Sequence, residues 1–136
     1  MKCTEIADTN RSGTLAFDLL DLLSALPPWA RKLLWTITGF NARLVPQHPA
    51  EISAAVSTLA RGQSAVVDWA GINRLATSIV HTVDGRFIGS LPIGESTGVD
   101  IALDQASIII ESVDSSYWRV WANNDEVTSA LRIGSG

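Results

Sequence analysis

The sequence predicts a single α+β domain in which an antiparallel sheet of about four strands is packed, as one layer, by about four helices. Three observations lead there. Helical and strand periodicities alternate early in the chain, strand signals bunch towards its end, and no linker divides its 136 residues. A chain of this length buries about two thirds of the surface its unfolded form exposes. The hydrophobic content of 46% supplies such a core and argues against disorder.

Residues 1–13 are polar and read as a flexible N-terminus, leaving 14–136 as the domain. From Thr14 the pattern is helical: Leu15, Leu19, Leu22 and Leu26 share a face, with Leu23 beside them. Thr14 is the expected N-cap, and Asp18 suits the positive end of the helix dipole. Pro27-Pro28 ends this helix, because proline lacks an amide donor and restricts the residue before it. From residue 31 to about 45 the apolar period falls to two, which predicts a strand. Leu33, Trp35 and Ile37 point one way, Leu34, Thr36, Thr38 and Phe40 the other, with a bend at Gly39. A second helix opens at Pro49, carries Glu51 in its first turn, buries Ile52, Ala55, Val56 and Leu59, and stops at Gly62.

Asp68 caps a third helix with Trp69, Ile72, Leu75, Ala76 and Ile79 on one face, although Gly71 weakens it by about 1 kcal/mol relative to alanine. The preferred reading continues this helix to about His81 and starts a strand at Arg86 that ends near Leu91. The rival makes residues 78–83 a strand, which Asp84-Gly85 turns back into a partner over 86–90. Residues 92–104 contain Pro92, Gly94 and Gly98 and read as a loop. Residues 106–113 and 117–122 are then two β-rich runs joined by Asp114-Ser115-Ser116, a hairpin signal. Asn124 caps a last short helix through Val127, Ala130 and Leu131, and Gly134 ends it.

The net charge of −4 falls entirely in the second half of the chain. No basic stripe is present, and direct nucleic-acid binding depends on one to neutralise phosphates. The single cysteine, Cys3, excludes an internal disulfide framework and a thiolate-rich zinc cluster. Asp18 and Asp21 interrupt the most apolar early stretch. That argues against a secretory leader and against a membrane span of about 20 apolar residues, so the cytoplasm is the expected compartment.

One stretch invites a catalytic reading. Gly94-Glu95-Ser96-Thr97-Gly98 spells the G-x-S-x-G of a serine nucleophile elbow, but both His48 and His81 precede Ser96, and the elbow needs its histidine after the serine. The two histidines fit no zinc spacing, and Gly85 and Gly89 are too sparse for a phosphate-binding loop. Asp100, Asp104, Glu111 and Asp114 lack calcium-loop spacing and read as a solvated acidic face. No catalytic set, metal or cofactor is expected.

The remaining unusual feature is aromatic. In Tyr117-Trp118-Arg119-Val120-Trp121, strand alternation separates Tyr117, Arg119 and Trp121 from Trp118 and Val120. With Trp118 and Val120 inside, the Tyr-Arg-Trp row is left for a covering helix, the favoured reading, or for a partner. Tyrosine, arginine and tryptophan are the types enriched at energetic centres of interfaces. The candidate partner-binding residues are therefore Tyr117, Arg119 and Trp121, together with the acidic Glu111, Asp114 and Asp84.

Three segments also carry a likeness. They are the Pro-Pro and Trp-containing strand from Trp29 to Phe40, the run Val83-Asp84-Gly85-Arg86-Phe87-Ile88-Gly89, and Ile108-Ile109-Ile110-Glu111 followed by Asp114-Ser115-Ser116-Tyr117-Trp118-Arg119-Val120. Together they resemble small acidic bacterial proteins of uncharacterised families, some of immunity type. The resemblance points to immunity-type proteins, and with the acidic second half, the aromatic row and the absent catalytic set it leads to the expectation of a non-catalytic inhibitor that occludes a protein partner such as a basic toxin or nuclease. It supplies no catalytic residues. A homodimeric structural or regulatory subunit is the main alternative. An enzyme domain with a small-molecule pocket lined by Glu111 or Asp114 is the third.

Overall fold

The computed structural model describes residues 2–6, 18–91, 106–113, 117–122 and 126–127. Its elements run β1 (Lys2–Ile6), α1 (Leu19–Ala25), a 3-10 turn (Pro28–Lys32), β2 (Leu34–Leu44), α2 (Ala50–Ala60), β3 (Ala65–Val67), α3 (Trp69–Thr77), β4 (Ile79–Ser90), β5 (Ala106–Val113) and β6 (Tyr117–Ala122). The strands form one antiparallel sheet in the order β1-β6-β5-β4-β2-β3. The α+β class is as expected. The counts are corrected: the sheet has six strands rather than about four, and the described residues hold three α-helices rather than about four.

The two unforeseen strands lie at the sheet edges. Lys2–Ile6 pairs with β6, so part of the stretch expected to be flexible is ordered by a strand more than a hundred residues away. Ala65–Val67 is three residues long and exists by pairing with Trp35–Ile37 of β2. Neither is long enough to carry a periodicity of its own. No helix of the described residues is long and apolar enough to cross a membrane.

The first helix begins at Asp18, not at the expected Thr14 cap, which lies outside the described residues. Asp18 Oδ1 accepts from the Leu19 amide at 2.7 Å, and Asp21 answers by accepting from the Asp18 amide at 2.9 Å, a capping box. The same Asp18 carboxylate accepts from the amide and the hydroxyl of Thr82, at 3.0 and 2.6 Å. One side chain thus starts α1 and ties it to β4.

In the middle of the chain both readings need correction. The helix stops at Thr77, so His81 is in a strand. That strand, twelve residues long, passes straight through Asp84-Gly85 without turning. Flanking strands hold it extended there, with Asn41 of β2 facing Asp84 and Ser112 of β5 facing Gly85, while the pairing with β2 shifts register on both sides of Asn41. The glycines of β4 serve packing instead. A Cβ on Gly85 would lie 3.0 Å from the Phe87 ring, and one on Gly89 would lie 3.0 Å from both Leu33 and the Trp35 ring.

In β2, Leu33, Trp35 and Ile37 face inward as the alternation predicts, but Phe40 joins them on the inner side. Gly39, at φ +61°, lies where the pairing with β4 slips between Thr38 and Asn41, and the extra residue reverses the alternation. Phe40 then meets Phe87 edge-on at 5.8 Å between ring centres. The inner face of the sheet and all three helices make one core, with Trp35, Phe87, Ile110 and Trp118 against Leu19, Leu23, Ile72 and Leu75. Val127 is buried in the same core; of the last expected helix only Glu126 and Val127 are described, both helical.

Candidate functional site

The hairpin of β5 and β6 has the expected strict alternation. Trp118, Val120 and Ala122 are buried, while Tyr117, Arg119 and Trp121 are half-buried on the opposite side. A covering helix over those three, the favoured expectation, is not found among the described residues. All three helices contribute to the inner core, and Tyr117, Arg119 and Trp121 belong to the outer face.

Antiparallel register then places four charged residues in one row across that outer face. Glu5 of β1 faces Arg119 of β6, Arg119 faces Glu111 of β5, and Glu111 faces Arg86 of β4. The side chains follow the backbone: Arg119 Nε lies 3.4 Å from Glu5 Oε1, Arg119 Nη1 3.9 Å from Glu111 Oε1, and Arg86 Nη2 3.1 Å from Glu111 Oε2. Opposite charges on facing positions stabilise a sheet where like charges would oppose pairing. The row alternates acid, base, acid, base and carries no net charge. Its central carboxylate is the most enclosed, with 19% side-chain exposure for Glu111 against 62% for Glu5 and 44% for Arg86.

Aromatic rings flank the row. Arg119 Nη2 donates to the Tyr117 hydroxyl at 2.7 Å, and its guanidinium carbon sits 4.9 Å from the Tyr117 ring centre. Two residues further along β6, Trp121 faces Ile109 of β5 and Cys3 of β1. Next to it a small cluster of Ile88, Ala106 and Ile109 is closed, with Ile88 fully enclosed. At the other end a shallow, open cleft of about 370 Å³ is lined by Thr38, Asp84, Arg86, Glu111 and Val113, among others.

Of the six residues singled out in the sequence, the outer face gathers Tyr117, Arg119, Trp121 and Glu111, and Asp84 lines the adjoining cleft. Asp114 lies outside the described residues, as do Asp100, Asp104 and the whole Gly94–Gly98 motif. Glu5 and Arg86 were missed. Arg86 is the outward residue between Gly85 and Phe87, so its parity was legible once the strand was known. Glu5 had no signal, because β1 was not read as a strand.

The described residues hold a serine-histidine contact, between His48 and Ser53. His48 Nδ1 donates to the Val45 carbonyl at 2.6 Å, and its Nε2 accepts from the Ser53 hydroxyl. With a backbone carbonyl behind the imidazole, this contact braces the loop before α2 against the first turn of that helix. His81 Nδ1 lies 4.0 Å from Asp18 Oδ2, against the cap already described. Among the described residues no three His, Cys, Asp or Glu gather as a metal site.

Fold and surface together define an α+β domain with helices on one face of a single sheet and a charge-paired, ring-flanked row on the other. No family model, no curated protein and no solved structure matches the chain.

Proposed function

We propose that the chain is a non-catalytic binding protein that covers a macromolecular partner with the outer face of its sheet. The observation that carries this reading is the half-buried set Tyr117, Arg119 and Trp121, which stands on the face that no described helix packs against. Rings and guanidinium combine apolar area with directed hydrogen bonds, and such groups dominate binding energy where water is excluded. An immunity-type inhibitor would use a surface of this kind to occlude its target. Charge refines the partner chemistry. Glu111 is already engaged by Arg86 and Arg119, so this row suits a partner that presents alternating charges more than one that is uniformly basic.

The test is a variant carrying Tyr117→Ala, Arg119→Ala and Trp121→Ala, compared with the wild type for the protein bound in its native cell. Loss of the bound protein with an unchanged melting temperature supports the reading. Undiminished binding by a folded triple variant would discard this face.

A further inference from the structure

We propose that Ser53 is a covalent modification site, whose hydroxyl takes an acyl group from an activated ester or thioester with His48 as the base. The site lies at the start of α2, on the helix side of the sheet, and does not rest on the binding reading of the outer face.

The hydrogen bonds of the imidazole carry the inference. The Val45 carbonyl can only accept, so His48 Nδ1 bears the proton on that side. In the neutral ring Nε2 then keeps its lone pair, and Nε2 is the atom that the Ser53 hydroxyl meets. The serine donates to a base already in the tautomer that can take its proton. A hydroxyl bonded to a base, with the base oriented by a third group, is the arrangement that activates a serine. Here the third group is a peptide carbonyl, which orients the ring but offers an imidazolium less charge than a carboxylate would.

Separate elements hold the three members in place. The Val45 amide donates to the Ser78 carbonyl at 2.8 Å, which pins the orienting peptide where α3 gives way to β4. Pro46 and Pro49 stiffen the loop on either side of Gln47 and His48. Ser53 rides on α2, whose Ile52 and Leu59 are buried in the core. The other helical hydroxyls behave differently. Ser24, Thr58 and Thr77 each donate to the carbonyl four residues back, the usual local partner, whereas the bond of Ser53 goes to the imidazole.

The surroundings admit a donor. His48 and Ser53 are half-buried, and Gln47, Pro49, Ala50 and Ala54 beside them in the chain are exposed. Pro49 gives α2 no side-chain cap. The Ser53 side chain leans towards that uncapped first turn, whose amides suit the oxyanion formed on the donor carbonyl. In the step, the serine oxygen bonds to the acyl carbon and its proton passes to His48 Nε2. The C–S or C–O bond to the leaving group then breaks, and the departing thiolate or phenolate takes that proton. One ester replaces another, with no change of oxidation state. The product is an alkyl ester with a poorer leaving group than the donor, so water removes the acyl group more slowly than the donor supplies it. The chain is an acceptor that accumulates one acyl group, not a catalyst that turns over.

The test treats the full chain with p-nitrophenyl acetate and follows acetylation by peptide mass spectrometry with fragmentation, which separates Ser53 from Cys3 and the lysines. Ser57, exposed on the same helix, is the internal control. Ser53 should be acetylated at least about tenfold faster than Ser57 in the wild type. His48→Gln should bring Ser53 down to the rate of Ser57, with circular dichroism confirming the fold. Equal rates at the two serines of the wild type overturn the inference, whatever the variant does. So does a folded His48→Gln that is acetylated at Ser53 as fast as the wild type. The triple variant of Tyr117, Arg119 and Trp121 should be acetylated at Ser53 like the wild type, so the two readings fail independently.

Discussion

On the inner side of the sheet, Phe87, Ile110 and Val120 lie side by side across β4, β5 and β6, each no more than 2% exposed. One residue away in each strand, the outer side sets Arg86, Glu111 and Arg119 in the corresponding row. The backbone and the register are shared; the physics is not. The inner row is held by volume, since its atoms touch groups that water cannot replace when they are removed. The outer row is held by direction and charge, and water substitutes for much of what a lost partner supplied. Along these two rows stability therefore concentrates on the inner side.

That contrast can be broken most directly with the two tryptophans of β6. Trp118→Ala removes a fully buried ring and should cost about 3–5 kcal/mol in urea unfolding. Trp121→Ala, from the half-buried side of the same strand, should cost at most about 1 kcal/mol. Equal losses would mean that the faces do not differ as described. Gly89→Ala probes overfilling on the inner side. Its methyl would lie 3.0 Å from Leu33 and Trp35, so a loss of about 1–3 kcal/mol is expected by the same measurement. On the outer side, Glu111→Gln leaves Arg86 and Arg119 without their shared carboxylate. A loss of about 1 kcal/mol at low ionic strength, shrinking as salt is added, would mark the row as electrostatic.

The smallest effect has the opposite sign. The Thr4 hydroxyl of β1 is buried with no hydrogen-bond partner, and the register with Val120 puts it on the inner side. Thr4→Val keeps the shape and removes an unsatisfied polar atom, so the melting temperature should rise by an amount equivalent to about 0.5–1 kcal/mol. A fall would show that the hydroxyl is satisfied in solution.

Much of this was readable from local patterns. The Asp68 cap, the second helix ending near Gly62 and the alternation through residues 117–122 all depend on neighbours a few positions away, and they stand as expected. Four of the six residues assigned to a binding surface share the outer face for the same reason. What escaped were features that depend on distant partners. The Asp84-Gly85 pair has the chemistry of a turn, yet β2 and β5 on either side keep it extended. Phe40 changes sides at Gly39, where the sequence marks a bend but not the slip in register with β4 that reverses the alternation.

Side-chain periodicity and capping chemistry act within a few residues, so the chain alone was enough to establish its class, its final hairpin and which rings of β6 turn inward. Register between strands far apart in sequence is a collective choice among many pairings of similar local merit. Only the assembled sheet could recruit Lys2–Ile6 as an edge and leave one face without a described helix, and only the assembled sheet could line up Glu5, Arg119, Glu111 and Arg86 in a single row.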